Sequence, residues 1–465
     1  TIDLDTDTLV DQHAAMDGDI GIENPAQFTA IQPAGFRAQF EYRQHDDWDE
    51  YGESTGGSRM FFDTGEHPGM NPEGRNIVYD CWNEGRVFLI NDRGGRWFGF
   101  CEITEIGQGL PEGAIAGEGP DNFHRAHNQL IEISGPQVNG WRTIGQPNEN
   151  PETPEGYSLS ENVALVSPKI TDVFWVHPDN TPEGVCLDPW MNKERRPGVM
   201  AAYRSASYIL RAIISQHLDI NPNELQISLP ARVGNVPTRV ARIVISDKMP
   251  NGAGFATALR ENFEMILDEL FGPNAEEPDS EPFEWIDDLI SENHRESCQA
   301  SCTSCIRYYS NMREHGLMDW RLGLSLLSLL NNPNGDVFAN SENLVEDLEG
   351  LAPEHEMFGW LQQAQQQQQA MANLDPRPEI MECMDFAGLP AVIDRHMNLC
   401  HIFIHPLWAL DDAGMTIGNV MENADEEFQD WALEQGDGGW DGEVNWVDTF
   451  NGSRRISWCR SNLQN

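Results

Sequence analysis

Apolar positions change their period along the chain, and the changes mark its elements. Up to about residue 155 they come in short runs, among them Gly85-Arg86-Val87-Phe88-Leu89-Ile90 and Arg96-Trp97-Phe98-Gly99-Phe100-Cys101. Asn91-Asp92-Arg93-Gly94-Gly95 lies between those two, and residues that accept φ > 0 at that place predict a hairpin flanked by Arg93 and Arg96. From about 160 the runs lengthen. Residues 163–170 and 171–176 read as strands, and 199–218 as a helix whose Ala202, Ala206, Ile209, Leu210 and Ile213 recur at three- and four-residue steps. Arg204 and Arg211 fall off that stripe. The β-branched run from Ala241 to Asp247 predicts a buried strand, followed by the turn Pro250-Asn251-Gly252-Ala253-Gly254-Phe255 and a helix over 255–271. Leu317, Trp320, Leu324 and Leu327 predict another helix over 317–330. Beyond it, the tract Gln365–Gln369 continues a helix, Ile402-Phe403-Ile404 is strand-like ahead of His405-Pro406-Leu407-Trp408, and an acidic tail follows.

These periods place the chain in the mixed α+β class. They divide it into a β-rich N-terminal region (1–158), a central α/β region (159–335) and an acidic C-terminal α/β region (336–465). The Pro-rich stretch 147–156 marks the first boundary, and 273–290 reads as an acidic connector inside the central region. With 465 residues and 39% hydrophobic side chains the chain can bury a core, and at ~100–200 residues per domain it has room for two or three.

Charge narrows the function. Asp and Glu number 76 against 29 Lys and Arg, a formal net charge of −47. Such a surface repels phosphate except at local basic clusters, which excludes broad, non-specific duplex binding. Only Lys169, Lys193 and Lys248 are lysines; an acid-rich, Lys-poor surface stays hydrated in high salt, where screening removes most self-repulsion. No stretch of about 18 apolar residues predicts a membrane span. The sequence opens at Thr1 without Met or a leader pattern, which reads as a processed product or a segment of a longer chain. Cytoplasmic placement is expected from the nine unpatterned cysteines, too few and odd in number for a disulfide framework.

Three cysteines are the exception. Cys298-x3-Cys302-x2-Cys305, with His294 four residues before Cys298, has the spacing by which a folded loop converges thiolates on one ion. Structural zinc needs four ligands, and His294 is the nearest candidate to complete a Cys3His site; Cys383, Cys186 or His315 would have to arrive by long-range folding. The same Cys spacing serves the [4Fe–4S] cluster of radical SAM enzymes. In those the motif follows an early barrel strand, often with an aromatic residue before the last Cys, whereas here Ser304 holds that position late in the chain. Cys305 with His315 as nucleophile and base is the weaker reading of a Cys crowded among metal-spaced Cys. His401 and His405 flank a strand and read as packed core histidines. The 250–255 turn precedes a helix N-terminus, so it reads either as tight packing or as an anion contact. It has no Gly-Lys-Ser/Thr, and H-E-x-x-H, G-x-S-x-G and G-x-G-x-x-G are missing from the sequence as well.

The order of these features resembles the MrfA-type zinc-binding domain found at the C-terminal end of certain superfamily-2 DNA-repair helicases and in components of the DISARM anti-phage system. The matching stretches are Thr171-Asp172-Val173, the Ala-rich helix at 201–218 with Leu218-Asp219-Ile220 and Glu224-Leu225, Asp247 through Phe255, and Cys298 through Arg307. Tyr309, Asn311, His315 and Leu317-Met318-Asp319-Trp320-Arg321 follow, and Pro33-Ala34-Gly35-Phe36-Arg37 matches more loosely. Family members often carry a fourth cysteine; here Glu296 and Ser297 precede Cys298. The resemblance implies one structural Zn²⁺, a helicase or ATPase motor as partner or fused domain, local DNA contact, and a role in repair or antiviral defence. It implies no catalysis by this chain, which has neither Walker A nor a D-E-x-D/H box. Arg307, Tyr308, Tyr309, Asn311 and Arg313 are the candidate nucleic-acid contacts, Arg for phosphate and Tyr for stacked bases of a single strand. A radical SAM-like iron–sulfur enzyme and a purely structural scaffold are the competing readings.

Overall fold

The computed structural model describes residues 29–31, 59–63, 69–91, 98–103, 128–132, 157–191, 196–228, 230–234, 239–271, 284–332, 338–349, 359–375, 377, 379–410, 415–435 and 440–462. The chain forms two compact units, 1–65 with 85–170 and 66–84 with 171–465. Helices and two sheets make it mixed α+β.

Strands β1 (Thr29–Ile31), β2 (Arg59–Asp63), β4 (Phe98–Ile103) and β5 (Asn128–Glu132) belong to the first unit, with the later part of β3 (Ile77–Asn91) and the earlier part of β6 (Tyr157–Pro178). The two apolar runs around 85–101 are strands, as their pattern predicts, but they are not hairpin partners. The strand order is β2-β3-β6-β4-β5, so β6 separates β3 from β4. Phe98 of β4 faces Val163 of β6, and Ile103 faces Tyr157. Local turn chemistry loses here to pairing with the 22-residue strand β6. The turn residues after Asn91, the Pro-rich stretch 147–156, the connector 273–283 and the Pro33–Arg37 match lie outside the described residues.

In the second unit the end of β6 pairs antiparallel with β9 (Val240–Asp247), Val173 facing Ser246 and Val176 facing Ile243. The expected strands at 163–170 and 171–176 are thus one continuous β6. The short strands β7 (Leu225–Ile227) and β8 (Ala231–Val233) also pair with β9. Helices α1 (Gly198–His217), α2 (Phe255–Phe271) and α5 (Trp320–Asn331) bury Ile209, Phe263 and Leu324 in the same core as Phe174 and Val244. Gly323 lets α5 cross α1 closely. A Cβ there would stand 2.9 Å from the backbone of Ser205 and Ala206. The amide of Asp319 donates to Ser205 Oγ at 2.8 Å, which pins the start of α5 to α1. Between α2 and α5 lie α3 (Glu284–Ile290) and α4 (Glu292–Ser297).

The second sheet is the antiparallel meander β10 (Met381–Phe386), β11 (Leu389–Asp394), β12 (Leu399–Ile404), with β13 (Glu443–Asp448) added parallel to β12. After α6 (Leu344–Glu349), helix α7 (Trp360–Ala372) carries the Gln tract into the core. Gln368 Nε2 donates to the carbonyls of Met384 and Ala391, and Gln367 Nε2 to that of Thr449. The acidic stretch expected as a tail lies in helix α8 (Asn419–Leu433), and α9 (Thr449–Ser461) after it carries Arg454, Arg455 and Arg460 and no carboxylate. His401 and His405 are buried, as read from the sequence; burial lowers them to about 4 and about 3. Among the described residues no helix is long and apolar enough to cross a membrane.

Candidate metal centre

The site is a loop held at both ends by helices. Ser291 caps α4 by accepting from the amide of His294 at 3.2 Å, and α4 presents His294 one turn before Cys298. Downstream, the first turn of α5 grips the loop's backbone. Trp320 Nε1 donates to the carbonyl of Cys298 at 3.1 Å, its amide donates to that of Ala300, and Arg321 reaches the carbonyls of Arg295, Cys298 and Gln299. These carbonyls have no regular secondary structure to bond, so buried donors replace it. Arg454 of α9 does the same for Gly316 and Met318. Trp320 was legible as part of an apolar stripe, but nothing in the sequence marks Arg321 and Arg454 as loop clamps, because their partners are backbone atoms.

Within this frame one ligand atom from each of His294, Cys298, Cys302 and Cys305 lies within 4.8 Å of the others. Cys298 and Cys305 are buried, and Cys302 is half-buried. A tetrahedral zinc with Zn–S near 2.3 Å and Zn–N near 2.0–2.1 Å sets its ligand atoms about 3.5–3.8 Å apart. His294 Nε2 stands 3.5 Å from Cys302 Sγ. His294 Nδ1 lies 2.7 Å from the carbonyl of Leu289 and donates to it, so Nε2 is the nitrogen turned to the sulfurs, able to give its lone pair once a metal displaces its proton; the Nδ1 bond is the usual outer support of a metal-bound imidazole. The amide of Cys302 donates to Cys305 Sγ at 3.0 Å, a bond that favours thiolate. Three sulfurs and one imidazole fit zinc.

The proton balance points the same way. Hydrogen bonding from Cys298, and then from His294 and backbone groups, pulls the Cys305 thiol down to about 4 against the effect of burial. The Cys305 thiolate in turn raises Cys298 far above its ordinary value and lifts His294 to about 9. Two groups held protonated around one thiolate are what a cation would relieve.

Residues 206–306 match the MrfA Zn-binding domain family. The chain carries an MrfA-type zinc-binding domain. The matched segment begins in α1 and ends just past Cys305, so it contains the whole ligand cluster, and zinc is the metal it calls for. No curated protein matches the chain. Among solved structures, a crystal structure of DUF1998 helicase MrfA bound to DNA is similar at 13% identity and a TM-score of 0.28, over 59% of this chain and 25% of that one. At that score the likeness carries no argument about the fold, and the chain spans about a quarter of that helicase.

The remaining sequence candidates separate in space. His315 does not approach Cys305 as a base; its Nε2 lies against the Tyr308 carbonyl and Asn311 Oδ1. Asn311 is 2% exposed and braces the loop, accepting from the Tyr308 amide and donating to the Ile306 carbonyl. Arg307 is half-buried, with Nε donating to Ser301 Oγ at 2.9 Å. Tyr308 is half-buried, whereas Tyr309 is 90% exposed. Arg313 lies in the 3-10 turn Tyr309–Glu314, and its side chain is outside the described residues. The 250–255 turn resolves to packing. Its amides at Ala253, Phe255 and Ala256 donate to Asp247, and that of Gly254 to Asp172, so the protein's own carboxylates occupy the helix N-terminus. A Cβ at Gly252 would strike Asp172.

Proposed function

We propose that this chain is a non-catalytic, zinc-stapled module that works with a superfamily-2 helicase motor in DNA repair or anti-phage defence, and that it touches single-stranded DNA through the loop after Cys305. The observation that carries the reading is the convergence of His294, Cys298, Cys302 and Cys305 inside the segment that matches a helicase-named zinc domain. The zinc ligands would be those four residues, and the ion would staple a segment that has almost no regular structure of its own. Arg307 would meet a phosphate and Tyr309 would stack on a base. Tyr308 and Asn311 would hold the loop in shape, with Arg313 adding charge. This stretch suits the role because 298–313 contains no Asp or Glu in a chain of net charge −47. Cytoplasmic placement belongs to the same reading.

Two measurements on the purified chain test it. Metal analysis is expected to give one zinc per chain and no visible-range absorbance; iron with sulfide would overturn the module in favour of an iron–sulfur protein. Fluorescence anisotropy with labelled oligo-dT, with and without a candidate motor, is expected to show binding that weakens on Arg307→Ala and Tyr309→Ala. No binding in either condition would remove the DNA role and leave a scaffold.

A further inference from the structure

Beside the loop that carries the metal cluster, and not used by it, Arg211 of α1 lies over the rings of two tyrosines. Its Cζ lies 4.7 Å from the centroid of Tyr208 and 4.9 Å from that of Tyr308. The side chain is 4% exposed, and Nε and Nη2 are sealed from solvent with no hydrogen-bond partner. Ring faces complement the faces of a guanidinium but give nothing to its in-plane N–H donors. The nearby carboxylate, Glu314, is already taken: Arg204 donates to it through Nε and Nη2, and Tyr208 through its hydroxyl. The chain has 76 carboxylates to offer, yet Arg211 makes no ion pair within the described residues.

A buried cation without an acceptor is costly, and an unbranched apolar side chain would fill the same slot without that cost. The arrangement makes sense where the acceptor arrives with a ligand. We propose that Arg211 is an anion-binding residue whose in-plane edge takes a phosphate oxygen, approached from the Tyr308 side. Tyr308 is the half-buried outer wall, and the next residue, Tyr309, is open to solvent. A strand that stacks a base on Tyr309 would bring its backbone phosphate to this wall. The planar fork suits two oxygens of one phosphate, and the rings fix its orientation beforehand. The nucleic-acid source of that phosphate rests on the function proposed above; the anion site itself does not.

The test uses the zinc-loaded full chain with Arg211→Met and Arg211→Lys. For nucleic acid the probe is labelled oligo-dT over a range of salt. Arg211→Met is expected to weaken binding on the order of tenfold and to reduce the slope of log K against log salt by about 0.7, the value for one phosphate of a single strand. Tyr309→Ala should weaken binding with the slope unchanged. For the anion alone the probe is inorganic phosphate. Millimolar phosphate should raise the melting temperature of the wild type beyond chloride of equal ionic strength, and should not do so for Arg211→Met. If oligo-dT fails to bind but the phosphate shift depends on Arg211, the nucleic-acid reading falls and the anion site stands. Equal oligo-dT affinity and slope in Arg211→Met, or a phosphate shift that is absent or independent of Arg211, would overturn the proposal. Should Arg211→Met not fold, Arg211→Lys decides, because it keeps the charge but loses the fork: wild-type affinity and phosphate shift in that variant would refute the site.

Discussion

His294→Ala is the sharpest test of the metal centre, because His294 is the one ligand that the cysteine spacing does not dictate. The substitution removes Nε2 from its place 3.5 Å from Cys302 Sγ, the Nδ1 bond to Leu289 and the ring packed 5.1 Å from Trp320. Loss of an outer-shell partner alone costs about 10–100-fold in metal affinity, so loss of the ligand itself should exceed about 100-fold, or about 2.7 kcal/mol. His294→Cys restores a fourth donor on a shorter side chain and should recover part of that loss. Competition against a chromogenic chelator, with zinc counted per chain, measures both. The proton balance adds a second readout. Near neutral pH without metal, His294 (raised to about 9) and Cys298 (raised further) keep their protons, whereas Cys305 (lowered to about 4) does not. Zinc must displace at least those two protons, so affinity should rise with pH by at least about two decades per unit around neutrality and fall as the solution is acidified. Calorimetry in buffers of different ionisation enthalpy counts the protons released. An alanine variant that binds zinc within threefold of the wild type would refute the assignment of Nε2 as a ligand.

Three further substitutions probe the frame around the site. Gly323→Ala gains about 1 kcal/mol of helix propensity, but its Cβ would press on the Ser205–Ala206 backbone of α1. Overpacking of about 1–3 kcal/mol should win, lowering the melting temperature, and a stabilised variant would mean that α1 and α5 separate easily. Glu314→Ala leaves Arg204 buried beside the Ser228 carbonyl with its main charge partner gone. A loss of about 3–5 kcal/mol is expected in urea unfolding, and much less for Arg204→Met with Glu314→Leu together; equal losses would show that the pair is not coupled. His401 and His405 are buried and lowered to about 4 and about 3, so the unfolded chain binds their protons first as pH falls. Stability should therefore decline from about pH 6.5 down toward pH 4, and His401→Gln should flatten part of that slope. An unchanged slope would mean that His401 does not stay neutral in the fold.

What the sequence made legible follows a physical divide. Helix α1, helix α2 and strand β9 were placed to within a residue or so, because each has an apolar period that its burial requires. The ligand set was legible because a metal imposes spacing on cysteines, with Ser291 and the α4 turn supplying the geometry that brings His294 into line. Long-range pairing was not legible. The Asn-Gly-rich turn after Asn91 signals a local hairpin, and nothing local announces that β6 separates β3 from β4. Nor does composition distinguish a low-complexity Gln run from one whose amides reach strand carbonyls in a core.

The arginines show the same divide most clearly. In a chain of net charge −47 each Arg has carboxylates within easy reach, so an ion pair is the expectation for all of them, and Arg204 meets it through Glu314. Arg321 gives its donors to loop carbonyls, and Arg454 gives Nε and Nη2 to two more while Nη1 pairs with Asp319, an arrangement that fixes the shape of an irregular segment more firmly than a surface salt bridge would, since exposed pairs contribute only about 0–1 kcal/mol. Arg211 has neither a carboxylate nor a carbonyl in its plane. It lies seven residues along α1 from Arg204, on the same helix face, so the two differ by what the zinc loop offers them: Glu314 for one and the ring of Tyr308 for the other. The acidity of the chain thus raises the significance of any arginine it leaves unpaired, and in the described structure the one facing the zinc loop is such a residue.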